Sequence, residues 1–73
     1  MPKAEISNQI RRLRFERGEM TQQALAEQVG CSRQTIVLLE QERYVPSLVL
    51  AMRIAHLFGT TVEEVFTLRE DDQ

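Results

Sequence analysis

The sequence has 73 residues, of which 42% are hydrophobic and 27% are charged, and its formal net charge is −2. These values are typical of one small soluble domain, and they exclude a membrane-spanning helix because no apolar run approaches the roughly 18 residues that a span requires. A single cysteine, Cys31, excludes an internal disulfide, and without a second cysteine or a nearby histidine at ligand spacing we expect no metal and no other cofactor.

The two ends of the sequence differ in charge. Residues 1–20 carry five basic side chains against three acidic ones, whereas residues 59–73 carry Arg69 against five acidic ones. Because the local field decides what a surface attracts, the acidic tail at 69–73 predicts only that this end faces away from any phosphate backbone. The first 20 residues lack the apolar stretch of a signal peptide, so we expect a cytoplasmic protein.

Glycine, proline and cap residues divide the sequence into five predicted helices. The first is capped by Ser7 and ends at Gly18. The second is short, begins after Thr21 and ends at Gly30, which permits the left-handed backbone of a sharp exit. The predicted buried positions are Ile10 and Leu13 in the first helix and Leu25, Ala26 and Val29 in the second.

The third helix, capped by Ser32, contains four apolar residues in a row. At about 100° per residue, four consecutive side chains point around most of a helix, so they cannot all face one core. Ile36 and Leu39 lie three residues apart and are predicted to be buried. Val37 and Leu38 are therefore predicted to point outward.

The fourth and fifth helices follow Pro46, which cannot continue the third. Ser47 caps the fourth helix, and Gly59 ends it. The capping box from Thr61 to Glu64 begins the short fifth helix, and residues 65–69 could form a short strand. The predicted buried positions are Leu48, Ala51, Ala55 and Phe58 in the fourth helix and Val62, Val65 and Phe66 in the fifth.

The second and third helices carry the functional signal. Two short helices joined by about three residues must cross steeply, which requires a small residue at the close approach and a glycine in the turn. Apolar, small or turn-forming residues occupy six such positions, so we predict an all-α domain over residues 1–73 with a helix-turn-helix at 21–41. An ordinary helical bundle with a glycine corner is the structural alternative. The six positions are Leu25, Ala26, Val29, Gly30, Ile36 and Leu39.

From Leu13 to Phe66 the sequence resembles the Xre-type helix-turn-helix regulators, which include the lambdoid phage repressors and Cro proteins. The most specific segments are TQQALAEQVG, SRQTI, RYVPSL and AHLFGTTVEEVF, and the likeness is greatest to short, single-domain bacterial and archaeal members. The resemblance implies a five-helix, lambda-repressor-like bundle whose third helix enters the DNA major groove. It also implies a homodimer that reads an inverted repeat, usually as a repressor.

The resemblance further implies roles for individual side chains. Arg33 and Gln34, at the start of the third helix, are expected to contact base edges, where guanidinium pairs with guanine and amide with adenine. Arg14 and Glu40 match a pair that forms an internal salt bridge. Each single DNA contact could instead be a solvated surface side chain. The remaining expected contacts are Gln22 at a phosphate, Ser32 and Thr35 at phosphate or base, and Arg43 and Tyr44 in the loop after the third helix.

Three positions depart from the family pattern. Val37 and Leu38 replace polar or small residues, and they are expected either to read thymine methyl groups, to be partly buried, or to contact a protein partner. Gln41-Glu42 replaces Asn-Gly, which places a carboxylate near the expected phosphates and removes an easy left-handed cap. Cys31 replaces a more common valine and is expected to fill the same small apolar site.

A dimer is expected because one third helix reads too few base pairs for a unique site. We predict the contact at Val65, Phe66 and Leu68.

The only histidine, His56, has no nucleophile or carboxylate placed beside it, so we expect no enzymatic activity. The alternative function is an antitoxin-like or co-regulator module that binds protein instead of DNA.

Overall fold

The computed structural model describes residues 4–69 and confirms the five helices. Two short strands, one at each end of this range, complete the fold. Residues 70–73 of the predicted acidic tail lie outside the described range. The elements are β1 Ile6–Asn8, α1 Ile10–Glu16, α2 Gln22–Val29, α3 Arg33–Glu40, α4 Leu48–Leu57, α5 Val62–Val65 and β2 Phe66–Leu68.

Four of the five predicted caps are present. Each of these side-chain oxygens accepts a hydrogen bond from the backbone N–H three residues later, which satisfies one of the free donors at a helix start. The reciprocal half of the predicted capping box is not formed, because the Glu64 carboxylate accepts from the Thr60 hydroxyl instead. The four caps are Thr21, Ser32, Ser47 and Thr61.

The predicted cap at Ser7 is wrong. Ser7 lies in β1, opposite Thr67, and α1 begins three residues later. Asn8, the next residue, satisfies the first N–H of α1 instead, because its Oδ1 accepts a hydrogen bond from Ile10 N at 3.1 Å. The Asn8 amide also donates to Leu39 O at 2.8 Å, which ties β1 to the end of α3.

β1 and β2 form a two-stranded antiparallel sheet. Ile6 pairs with Leu68, and Asn8 pairs with Phe66. The sequence predicts a short strand at residues 65–69 but no partner strand for it within the chain. Its partner is in the same chain, and β1 was not predicted because three residues are too few to show an alternating pattern.

The core is formed by residues of all five helices and by the first residue of β2, and two predictions about it are wrong. Leu48 is 71% exposed, because it is the first residue of α4 and points away from the inward face of that helix. Val65 and Phe66 are 0% and 6% exposed, so they are buried within one chain and are not available as a dimer surface. The buried residues are Ile10, Leu25, Ala26, Val29, Ile36, Leu39, Ala51, Ile54, Ala55, Val65 and Phe66.

The turn between α2 and α3 has the predicted geometry. Gly30 has a φ of 80°, in the left-handed region, and its N–H and that of Cys31 both donate to Ala26 O. Cys31 is half-buried against the core, as expected for a small apolar filler. None of the helices described between residues 4 and 69 is long and apolar enough to cross a membrane.

Candidate nucleic-acid interface

The start of α3 presents its polar side chains to solvent. Arg33 and Gln34 are both exposed, and they immediately follow the Ser32 cap. Arg33 also lines a shallow groove with Thr21, Gln22 and other residues at the start of α2. The two helix starts therefore open onto one surface, where side-chain donors are combined with the positive ends of two helix dipoles.

An ion pair holds this surface in place. Arg14 Nε lies 2.6 Å from Glu40 Oε2 and Arg14 Nη2 lies 3.0 Å from Glu40 Oε1, so the pair expected from the family pattern is present and bidentate. The side chains are only 15% and 9% exposed, which makes the pair much less screened than a surface ion pair. A third hydrogen bond to Glu40, from the Gln22 amide at 3.1 Å, joins α2 to the same carboxylate.

Glu40 therefore connects three helices through one side chain. Because Arg14 comes from α1 and Gln22 from α2, the end of α3 is fixed relative to both. The amide nitrogen of Gln22 donates to Glu40, and the phosphate contact expected of Gln22 stays a prediction. Arg14 additionally donates to Met20 O at 2.7 Å, so its charge is used internally.

Val37 and Leu38 are both half-buried, between the fully buried Ile36 and Leu39. Val37 lines a groove beside α3 that also includes Gln22, Gln41 and Arg11. The outward direction predicted for this pair is therefore correct in part, since neither side chain belongs to the core and neither is fully exposed.

Arg11 is a candidate contact that the sequence analysis did not select. Its side chain is exposed and lines the groove beside α3, and among residues 4–69 no hydrogen bond or ion pair engages its guanidinium. Its neighbour Arg12 instead pairs with Glu16 at 2.9 Å along the same helix. The available signal was spacing, because Arg11 lies three residues before Arg14 and so shares its side of α1.

In the loop after α3, Glu42 provides the left-handed cap and its carboxylate is paired, so neither effect expected from replacing Asn-Gly is present. This residue adopts a φ of 61°, so it supplies the left-handed cap that glycine gives elsewhere in the family pattern. Its carboxylate lies 2.8 Å from Arg69 Nη1, which neutralises much of the charge expected to repel phosphates. The following Arg43 and Tyr44 are exposed, as their predicted role in backbone contact requires.

The hydroxyls of Ser32 and Thr35 are hydrogen-bonded within the first turn of α3. The Ser32 hydroxyl accepts from Thr35 N at 3.1 Å and lies 3.0 Å from the Thr35 hydroxyl. Thr35 itself is half-buried. Both hydroxyls are therefore largely committed to the start of α3.

Groups with catalytic potential do not gather at this surface. Burial raises the pKa of the Cys31 thiol, which is the opposite of what a reactive thiolate requires. His56 is exposed in the last turn of α4. Among the described residues, no three His, Cys, Asp or Glu side chains lie close enough together to hold a metal ion.

A family model described as a helix-turn-helix domain matches residues 5–68. The chain belongs to this helix-turn-helix family. Its relative in Methanothermobacter thermautotrophicus, an uncharacterized HTH-type transcriptional regulator, is 54% identical over 63 residues, which cover 85% of this chain and 90% of the relative. This is a family of DNA-binding transcriptional regulators and not of enzymes, in agreement with the prediction that the chain is not an enzyme.

Solved helix-turn-helix structures share the fold. The restriction-modification controller protein C.AhdI from Aeromonas hydrophila is 27% identical, with a TM-score of 0.69 over 77% of this chain and 83% of that protein. The DNA-binding domain of the P22 c2 repressor is 20% identical, with a TM-score of 0.63 over 75% of this chain and 72% of that domain. The predicted lambda-repressor-like, Xre-type architecture is thereby confirmed, with a two-stranded sheet added at the joined ends.

Proposed function

We propose that this helix-turn-helix protein is a sequence-specific transcriptional repressor that binds an inverted-repeat operator as a homodimer, with α3 in the major groove. The observation that carries this proposal is the exposed start of α3. Arg33 and Gln34 are free of the core, and the one carboxylate in α3, Glu40, is held by Arg14. The surface therefore offers guanidinium, amide and N–H donors without an opposing free carboxylate on the same helix.

Each exposed side chain of α3 has a base for which its chemistry is suited. Arg33 can donate two hydrogen bonds to O6 and N7 of guanine, and Gln34 can exchange a donor and an acceptor with adenine. Val37 and Leu38 keep part of their apolar surface outside the core, and that surface suits thymine methyl groups. We infer a half-site that contains G, A and T at successive positions.

The loop and the side of α1 are suited to the DNA backbone. Arg43 and Tyr44 lie in the loop after α3, and Arg11 lies beside the groove along α3, so phosphates on both sides of that groove would meet a donor. Such contacts fix the register of a protein on DNA without selecting a sequence. The acidic net charge does not oppose this, because the excess acidic side chains lie in residues 59–73, and Glu40 and Glu42 are both paired with arginine.

Two copies are needed for a unique operator. One α3 reads only about four to five base pairs, while a two-fold pair with recognition helices about 34 Å apart reads two half-sites on one side of the duplex. A dimer seated on an operator in the cytoplasm would repress by occupying DNA that the transcription machinery also requires.

Selection of binding sites from random duplexes tests the proposal. We expect enrichment of a palindrome with half-site centres one helical turn apart, and binding that weakens steeply between about 50 and 200 mM salt because counterions are released. If the protein selects no sequence, or if its binding does not respond to salt, the proposal is contradicted. The antitoxin-like or co-regulator function, in which the protein binds another protein, would then be favoured.

A further inference from the structure

The outer side of α4 carries an apolar surface that no residue between 4 and 69 covers. We call Val45, Leu48, Val49 and Met52 the α4 face. These residues are 58%, 71%, 59% and 54% exposed. Large apolar side chains at this level of exposure are common singly, but a contiguous group on one helix marks a contact surface.

Helical spacing shows that the three members of this group in α4 form one surface. Leu48 and Met52 are four residues apart, and Val49 and Met52 are three apart, so all three lie on the same side of α4. The buried Ile54 lies opposite them, and the small buried residues Ala51 and Ala55 lie along one edge of this surface. Because α4 is apolar on both sides, its sequence is better suited to a helix between two packed layers than to one at a solvent boundary.

The surroundings of the α4 face favour a neutral, apolar partner. A shallow groove continues from Val49 and Met52 to Gln28, Arg53 and His56, and no carboxylate lines it. Arg53 is exposed and crosses the end of α2, where its Nη1 lies 3.5 Å from Val29 O. A basic peptide would find no carboxylate in this groove, whereas an identical apolar surface would match the exposed valine, leucine and methionine side chains.

The geometry points to a second copy of this chain as the occupant, so we infer that the α4 face is the dimer contact, with the two-fold axis near Leu48. This inference rests on the proposed function, because the DNA-binding site is incomplete without a second α3. Val45 lies only two residues beyond Arg43, so an axis here brings the two DNA-facing loops together. The α3 helices then lie on either side of the axis.

The size of the domain and of the surface agree with this arrangement. The described chain measures 23 and 22 Å along its two short axes, so two copies side by side bring their α3 helices within reach of the roughly 34 Å separation of successive major-groove sites. The four side chains expose on the order of 400 Å², which together with a polar rim approaches the roughly 800 Å² per partner of a standard interface.

Two leucines of equal exposure provide a matched test. Leu48 in the α4 face is 71% exposed, and Leu68 in β2, the only exposed member of the dimer contact predicted from sequence, is 70% exposed. We expect Leu48→Glu to raise the dimer dissociation constant about tenfold or more in sedimentation equilibrium, while Leu68→Glu leaves it unchanged. Glutamate at the first position of α4 is favourable for the helix, so Leu48→Glu should retain the wild-type circular dichroism spectrum, and its melting temperature should no longer rise with protein concentration.

DNA binding separates failure of this inference from failure of the proposed function. Leu48→Glu should bind a palindromic operator more weakly than wild type but should bind a single half-site duplex equally well. A wild-type protein that is monomeric at micromolar concentration both free and on DNA would overturn the inference, as would a Leu48→Glu variant that remains dimeric. A monomeric Leu68→Glu variant would place the contact at β2 instead. A wild-type protein that dimerises through Leu48 but selects no DNA sequence would overturn the proposed function alone.

Discussion

Single side chains at the start of α3 and in the loop after it are expected to contribute to DNA binding in different ways. Arg33 is exposed where base edges would lie, and Arg43 is exposed where phosphates would lie. Arg33→Ala should cost roughly 1–3 kcal/mol on the selected operator and relax specificity at one base pair, whereas Arg43→Ala should weaken all sequences to a similar degree. Titration of each variant against the operator, a single-base variant of it and random DNA measures the difference. Equal losses on all three duplexes for both variants would contradict the assignment.

Arg11 and Arg12 are adjacent arginines that differ in their partners. Arg12 pairs with Glu16 along α1, while Arg11 lines the groove beside α3 without a partner among residues 4–69. We therefore predict that Arg11→Ala lowers the slope of log affinity against log salt by about 1 without changing sequence preference. Arg12→Ala is the control and should leave both the slope and the affinity unchanged. If the two variants behave alike, Arg11 does not contact the backbone.

The residues of the candidate site could be predicted to different extents. Arg33, Gln34 and the Arg14–Glu40 pair followed from the family pattern, because each depends on its position relative to the helix-turn-helix. Gln22 and Glu42 were harder, since their partners, Glu40 and Arg69, are 18 and 27 residues away in sequence. A side chain's charge can be read from a sequence, but whether that charge is already neutralised depends on the tertiary fold.

At the level of helices and strands, Asn8 makes a contribution that can be measured directly. It accepts a hydrogen bond from the first N–H of α1 and donates one to Leu39 O at the end of α3. Because both bonds are partly buried, Asn8→Ala should reduce the free energy of unfolding by about 1–3 kcal/mol. Chemical denaturation of both variants would compare it with Ser7→Ala, whose exposed hydroxyl makes only a 3.4 Å contact with Thr67 O and should change stability by less than about 0.5 kcal/mol. Comparable losses for the two variants would exclude a linking role for Asn8.

The helices could be predicted because their signals are local in sequence, whereas the sheet could not be predicted because its two strands are far apart. A cap such as Thr21 or Ser47 acts on a backbone N–H three residues away, so sequence alone contains both partners. β1 and β2 stabilise each other across almost the whole chain, and neither is long enough to be recognised separately. The burial of Leu48 was predicted wrongly for a third reason. Helical spacing predicts that apolar residues share a face, but it does not say whether that face is covered by the same chain.

For the molecule as a whole, pairing of β1 with β2 closes the fold. Phe66 is buried at the start of β2, so a chain that ends after Val65 loses both the sheet and part of the core. We expect this truncation to cost about 3 kcal/mol or more and to lower the melting temperature strongly. A chain that ends after Arg69 retains every described element and should melt close to the full sequence. Calorimetry of the two truncated chains tests this, and similar melting temperatures would show that the sheet is dispensable.

The same pairing has a consequence during synthesis. Ser7 is synthesised before all five helices, and its partner in the sheet, Thr67, is 60 residues later. The helices can form as they emerge because their contacts are short-range, but the sheet and the burial of Phe66 must await synthesis of β2. A translation product interrupted before β2 would therefore contain an intact helix-turn-helix sequence and still lack a closed domain, so only chains that include β2 would compete for the operator.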